Sequence, residues 1–87
     1  MNPQNGNKPD HKPIVIIVNG REKEWSEKEI SFKQLVELAF GVYEENNQIV
    51  YTVVYKGPGN QEGTMVVGDT VKVKKGMVFN VTRTDKS

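Results

Sequence analysis

The chain contains no cysteine, which excludes disulfide staples and thiolate-bound metal and fits a reducing compartment. Histidine is nearly absent too: His11 is the sole example. Without a second imidazole or a thiolate it lacks the partners that a metal site needs, and a solvated side chain beside Asp10 is the expected state. Neither sign of charge dominates, with 12 Lys and Arg against 11 Asp and Glu, whereas nucleic-acid binders gather a basic excess on one face. The small basic cluster of Lys72, Lys74 and Lys75 therefore reads as an exposed face. Long apolar runs are missing as well. The longest, Ile14 to Val18, falls far short of the roughly 20 residues that span a bilayer. Met1 to Lys12 is polar throughout, with no charged-then-apolar signal peptide. No nucleic-acid partner, no membrane and a cytoplasmic location are the expectations.

The groups that carry catalysis are also lacking. Ser26, Ser31 and Ser87 have no positioned base to activate them. Glu44 and Glu45 are adjacent in a polar stretch and read as solvated. The Gly57 to Gly63 segment is glycine-rich, but it lacks the Gly-Lys-Ser/Thr ending of a phosphate cradle and opens no marked helix. No catalytic residue, cofactor or metal site is expected, and the chain reads as a non-enzyme.

What is present is a well-punctuated small domain. At 87 residues the chain has room for one core. Residues 1–12 cannot bury enough surface to offset their ordering entropy and are expected to form a disordered arm. The folded domain is expected over 13–87. Ile14 to Val18 is a continuous β-branched run, a strand pattern covered on much of both faces. It stops at Asn19-Gly20, suited to a type I′ hairpin turn. The return strand, Arg21 to Trp25, then sets Val18 opposite Arg21, Ile16 opposite Lys23 and Ile14 opposite Trp25. Its charges suit a sheet edge. Trp25 is expected to cap one end of the core.

Ser31-Phe32-Lys33-Gln34 is a capping box, and Ile30 with Leu35 has hydrophobic-staple spacing. Phe32, Leu35, Val36 and Ala39 form one helical stripe. Gly41 should end the helix in the left-handed region, with Val42 packing back on Val36. Ile49 to Lys56 alternates as a strand. Thr64 to Val67 reads as a brief strand or a helical turn, Thr70 to Lys74 as a short strand, and Met77 to Arg83 as the last strand.

A hairpin, a helix and then more strands bury the helix stripe only if the helix crosses one face of a mixed sheet, with a right-handed connection. The fold class is thus α+β. The expected architecture is a β-grasp of four or five strands with the first and last strands parallel at the centre and the helix packed across the sheet. The expected core is Ile14, Ile16, Val18, Leu35, Val36, Ala39, Tyr51, Val53, Met77, Phe79 and Val81.

Several stretches, in order, resemble the bacterial multiubiquitin domain. They are Ile17 to Gly20, Ile30 to Phe32, Leu35 to Ala39, Tyr51 to Val53, Gly68 to Val73 and, most specifically, Lys75 to Thr82 running on through Ser87. The resemblance covers Ile14 to Ser87. It implies a ubiquitin-like protein modifier from bacterial ubiquitination-like operons. Its implied partners are an activating enzyme, a conjugating enzyme, a processing peptidase and the target proteins, and related operons are linked to phage defence. The implied conjugation tail is Arg83, Thr84, Asp85, Lys86 and Ser87. Modifiers of the ubiquitin type end in a glycine, and this tail has none. Three readings stay open: a processed or truncated unit, a transferred terminus other than glycine, or a domain not itself conjugated. A sulfur carrier also needs a flexible terminal glycine, which disfavours that class.

The outward positions of the third and last long strands, Val50, Thr52, Val54, Val78, Asn80 and Thr82, form the candidate partner-binding patch. An exposed apolar patch with a polar rim is a binding signal, and ordinary strand propensity on a solvent face accounts for the same residues equally well. The alternative function is a non-covalent adaptor using that sheet face.

Overall fold

The computed structural model describes residues 12–86; the expected arm, apart from Lys12, and with it His11, lie outside the described residues. The elements in chain order are β1 (Ile14–Val18), β2 (Arg21–Trp25), β3 (Glu29–Ser31), α1 (Phe32–Phe40), β4 (Ile49–Lys56), β5 (Glu62–Met65), β6 (Thr70–Lys72) and β7 (Val78–Asp85). Five strands form a mixed sheet in the order β2-β1-β7-β4-β5, and β3 pairs with β6 in a separate two-stranded sheet.

The first hairpin has the register expected from its turn, with Val18 opposite Arg21 and Ile14 opposite Trp25. Asn19 and Gly20 both hold positive φ, at 53° and 81°, the backbone that a type I′ turn demands. β1 and β7 run parallel side by side, and β7 is antiparallel to β4 over its whole length.

Ser31 caps α1 as the sequence predicts: its hydroxyl accepts from the Gln34 amide at 3.1 Å, and the Ser31 amide donates to Gln34 Oε1 at 2.9 Å. Gly41 closes the helix at φ 85°, its amide donating to the Glu37 carbonyl. Nine residues are too few for a stable isolated helix; α1 holds through its stripe, of which Phe32, Leu35 and Val36 are buried. Val42 does not pack back as expected but is 51% exposed. Tyr43 takes the inward place, edge-on to Phe32 and stacked on Tyr51.

The core comprises Ile16, Val18, Ile30, Phe32, Leu35, Val36, Val53, Met65, Met77, Phe79 and Val81. Three expected members, Ile14, Ala39 and Tyr51, are only half-buried and pack at its margin. Ile30, Phe32 and Met65 enter instead. Ile30 does so because β3 turns it under the helix start, opposite Val71 of β6. Met65 enters because β5 begins at Glu62, inside the segment expected as loop, and sets Met65 opposite Val53. The strand expected over Thr70 to Lys74 is shorter and belongs to the small sheet. The last strand runs two residues beyond Arg83, to Asp85.

Candidate functional site

Strand alternation in β4 and β7 turns one set of side chains toward α1 and the other away from it. Val53, Phe79 and Val81 are buried on the helix side. Val50, Thr52, Val54, Val78, Asn80 and Thr82 are exposed on the opposite face. The antiparallel register assembles these six into a contiguous surface: Thr52 faces Thr82, Val54 faces Asn80, Val50 faces Thr84 and Val78 faces Lys56. The Thr82 hydroxyl donates to the Thr52 carbonyl at 3.4 Å, a bond across the patch. Ile17 of β1 lies beside Val78, and Thr64 of β5 lies beside Val54. The result is a shallow surface of valines and small polar groups, rimmed by Glu22, Lys56 and Glu62. A depression of about 480 Å³ at its β5 side is lined by Val54, Lys56, Thr64 and Asn80 among others. Val54 is 42% exposed and Val78 36%, so apolar area there remains available to a partner.

The tail residues are placed differently from a free segment. Arg83, Thr84 and Asp85 pair with Tyr51, Val50 and Ile49 of β4, and the Lys86 amide donates to the Gln48 carbonyl. The Arg83 guanidinium lies 3.3 Å from Glu44 Oε1 and 3.3 Å from Asp85 Oδ1. Glu44 is therefore not simply solvated; its amide also donates to the Tyr51 hydroxyl at 3.2 Å. Ser87 lies outside the described residues. Sequence reasoning missed this end-clasp because nothing local in Glu44 announces a partner 39 residues on.

Other candidates are resolved by their surroundings. Ser31 is engaged in the helix cap. Trp25 is half-buried against the core, its indole N–H donating to the Glu29 carbonyl at 3.0 Å. Lys72 and Lys74 share a concavity of about 750 Å³ with Lys28, Glu27 and Glu29, so the basic cluster is interleaved with carboxylates. Among the described residues no three His, Cys, Asp or Glu side chains converge, and no helix is long and apolar enough to cross a membrane.

A family model described as Multiubiquitin matches residues 14–85. No curated protein and no solved structure matches the chain.

Proposed function

Because the chain belongs to the multiubiquitin family, its model spanning 14–85, we propose that it is a ubiquitin-like protein modifier rather than an enzyme. In this reading it is processed by a peptidase and joined to targets through its carboxyl-terminal tail by activating and conjugating enzymes encoded beside it in a bacterial operon. The observation that carries the reading is the family match over the whole β-grasp. The open sheet face around Val54, Val78 and Asn80 supports it, since a modifier must be read by other proteins after attachment and an exposed apolar surface serves that need. Arg83 to Asp85 lie in β7, so an enzyme that threads the tail as an extended strand must draw the last pairs of β7 away from β4. On the β7 side these residues are exposed. Their ladder hydrogen bonds contribute about 0.5–1.5 kcal/mol net each and the surface ion pairs of Arg83 about 0–1 kcal/mol each, a cost that binding of the tail by the enzyme can offset.

The same pairing favours a second reading, in which β7 stays in the sheet and the domain is a non-covalent adaptor binding through the patch. Co-expression of the full protein with its neighbouring activating and conjugating enzymes distinguishes the two. The modifier reading expects higher-mass adducts whose cross-linked peptides join the tail carboxylate to a target, lost on tail truncation and only weakened by Val54→Asp. No covalent adduct, together with a stable complex abolished by Val54→Asp, establishes the adaptor. Sulfur added at the terminus on incubation with the activating enzyme and ATP overturns both.

A further inference from the structure

Among the described residues β2 is one free edge of the five-stranded sheet, and the hairpin geometry determines which of its backbone groups point outward. In a two-residue type I′ hairpin the residues flanking the turn exchange both backbone hydrogen bonds. Here those residues are Val18 and Arg21, so the next bonded pairs are Ile16 with Lys23 and Ile14 with Trp25. The other side of β1 agrees: the Ile17 and Asn19 amides donate to Met77 and Phe79 of the neighbouring segment. The N–H and C=O groups of Glu22 and Glu24 consequently point outward from the sheet edge.

The side chains of β2 are sorted by sign. Arg21 and Lys23 stand on the helix side, level with Val18 and Ile16, while Glu22 and Glu24 stand on the open face, level with Ile17 and Val15. Arg21, Glu22 and Glu24 are exposed, and the ion pairs among the described residues involve none of the four. One edge therefore carries a basic face and an acidic face. Strands that pair place same-face side chains next to each other. A second copy docking antiparallel through Glu22 and Glu24 would set Glu22 on Glu22, Glu22 on Glu24 or Glu24 on Glu24, and like charges opposite one another repel. A strand bearing acidic residues on the helix side and basic residues on the open face meets complementary charge at every position. The other sheet edge, β5, carries a single charge, Glu62, in four residues and has no such code.

We propose that β2 is a strand-addition site for an extended segment of another protein whose side chains alternate between acidic and basic. The segment's backbone bonds to the outward groups of Glu22 and Glu24. This goes beyond the modifier reading and does not depend on conjugation.

The test uses the full isotope-labelled chain and two synthetic probes of equal composition. One contains Val-Lys-Glu-Lys-Glu between threonines, antiparallel to β2 with its valine opposite Trp25; the other contains Val-Lys-Lys-Glu-Glu. The alternating peptide is expected to shift the Arg21 to Trp25 amide resonances and slow hydrogen exchange at Glu22 and Glu24, with affinity falling as salt rises. The block peptide should bind about tenfold more weakly. Glu24→Pro removes an N–H that the hairpin does not use, a substitution that edge strands tolerate, and should abolish binding in a folded protein. Glu22→Lys/Glu24→Lys, at exposed positions, makes the edge uniformly basic and should transfer the preference to Val-Glu-Glu-Glu-Glu. Equal binding of the two probes, shifts on β5 or the open face instead of β2, self-association of the chain through β2, or no binding of the alternating peptide at millimolar concentration would each overturn the proposal.

Discussion

Asn19 holds the left-handed conformation in the first turn, and its side chain also reaches the far end of the chain. The amide donates to the Val81 carbonyl at 3.0 Å, and the Val81 N–H donates back to Asn19 Oδ1 at 2.7 Å. This side chain extends the parallel ladder one step beyond Val18, doing with an amide what a further strand residue would do with its backbone. Asn19→Asp keeps the tolerance for positive φ but replaces the donor with an oxygen facing a carbonyl. Asn19→Gly keeps the turn and loses both bonds. Each should destabilise the domain by about 1–3 kcal/mol in urea unfolding, Asp at least as much as Gly. Unchanged midpoints would mean that the clip is structurally idle.

At the scale of elements, neighbouring positions in one strand have opposite tolerances. Val53 is fully buried and Val54 is 42% exposed, because β4 carries α1 on one face only. Val53→Asp places an unpaired charge in the core and should cost about 4 kcal/mol or more, read as a collapse of the thermal transition. Val54→Asp should stay within about 0.5 kcal/mol of the parent, which also qualifies it as a probe of partner binding. The end of β7 behaves as a separable piece of strand. Among the described residues, Arg83 is its only ion-paired side-chain link to the loop after α1, and both partners are well exposed. Arg83→Ala should lower global stability by no more than about 1 kcal/mol while accelerating amide exchange across Thr84 and Asp85. Unaltered exchange there would show that the backbone pairs with β4 hold the end unaided.

For the molecule as a whole, β7 is the element that makes two hairpin-like pieces into one domain. It lies between β1 and β4, so among the described residues β1–β2 on one side and β4–β5 on the other are not paired with each other. It also brings Phe79 and Val81 to the core beneath the helix. A chain ending at Gly76 should therefore lack a cooperative melting transition and give a disordered far-ultraviolet circular dichroism spectrum. A retained sigmoidal melt would show that α1 and β4 form a core without it. The final strand must close a loop of about 60 residues against β1 before its contacts contribute, which costs entropy that only the completed core offsets.

The elements that local chemistry specifies were legible in the residues themselves. Asn19-Gly20 admits one common hairpin turn, and that turn sets the β1–β2 register. Ser31 with Gln34 marks the helix start and Gly41 its end. The alternation of Ile49 to Lys56 fixes which side of β4 is buried, and with it the open face bearing Val54 and Asn80. Three features depended on partners remote in sequence. Glu29 to Ser31 becomes a strand only because Thr70 to Lys72 arrives beside it. Met65 becomes core only because β5 aligns it with Val53. Arg83 to Asp85 become strand rather than tail because Ile49 to Tyr51 offer an open ladder, and Glu44 an ion-pair partner, at the end of the sheet. Turn and cap preferences act over a few bonds and are written in the nearest residues. Strand extension and burial are settled by whichever segment the closed sheet brings alongside, which no short window of sequence contains.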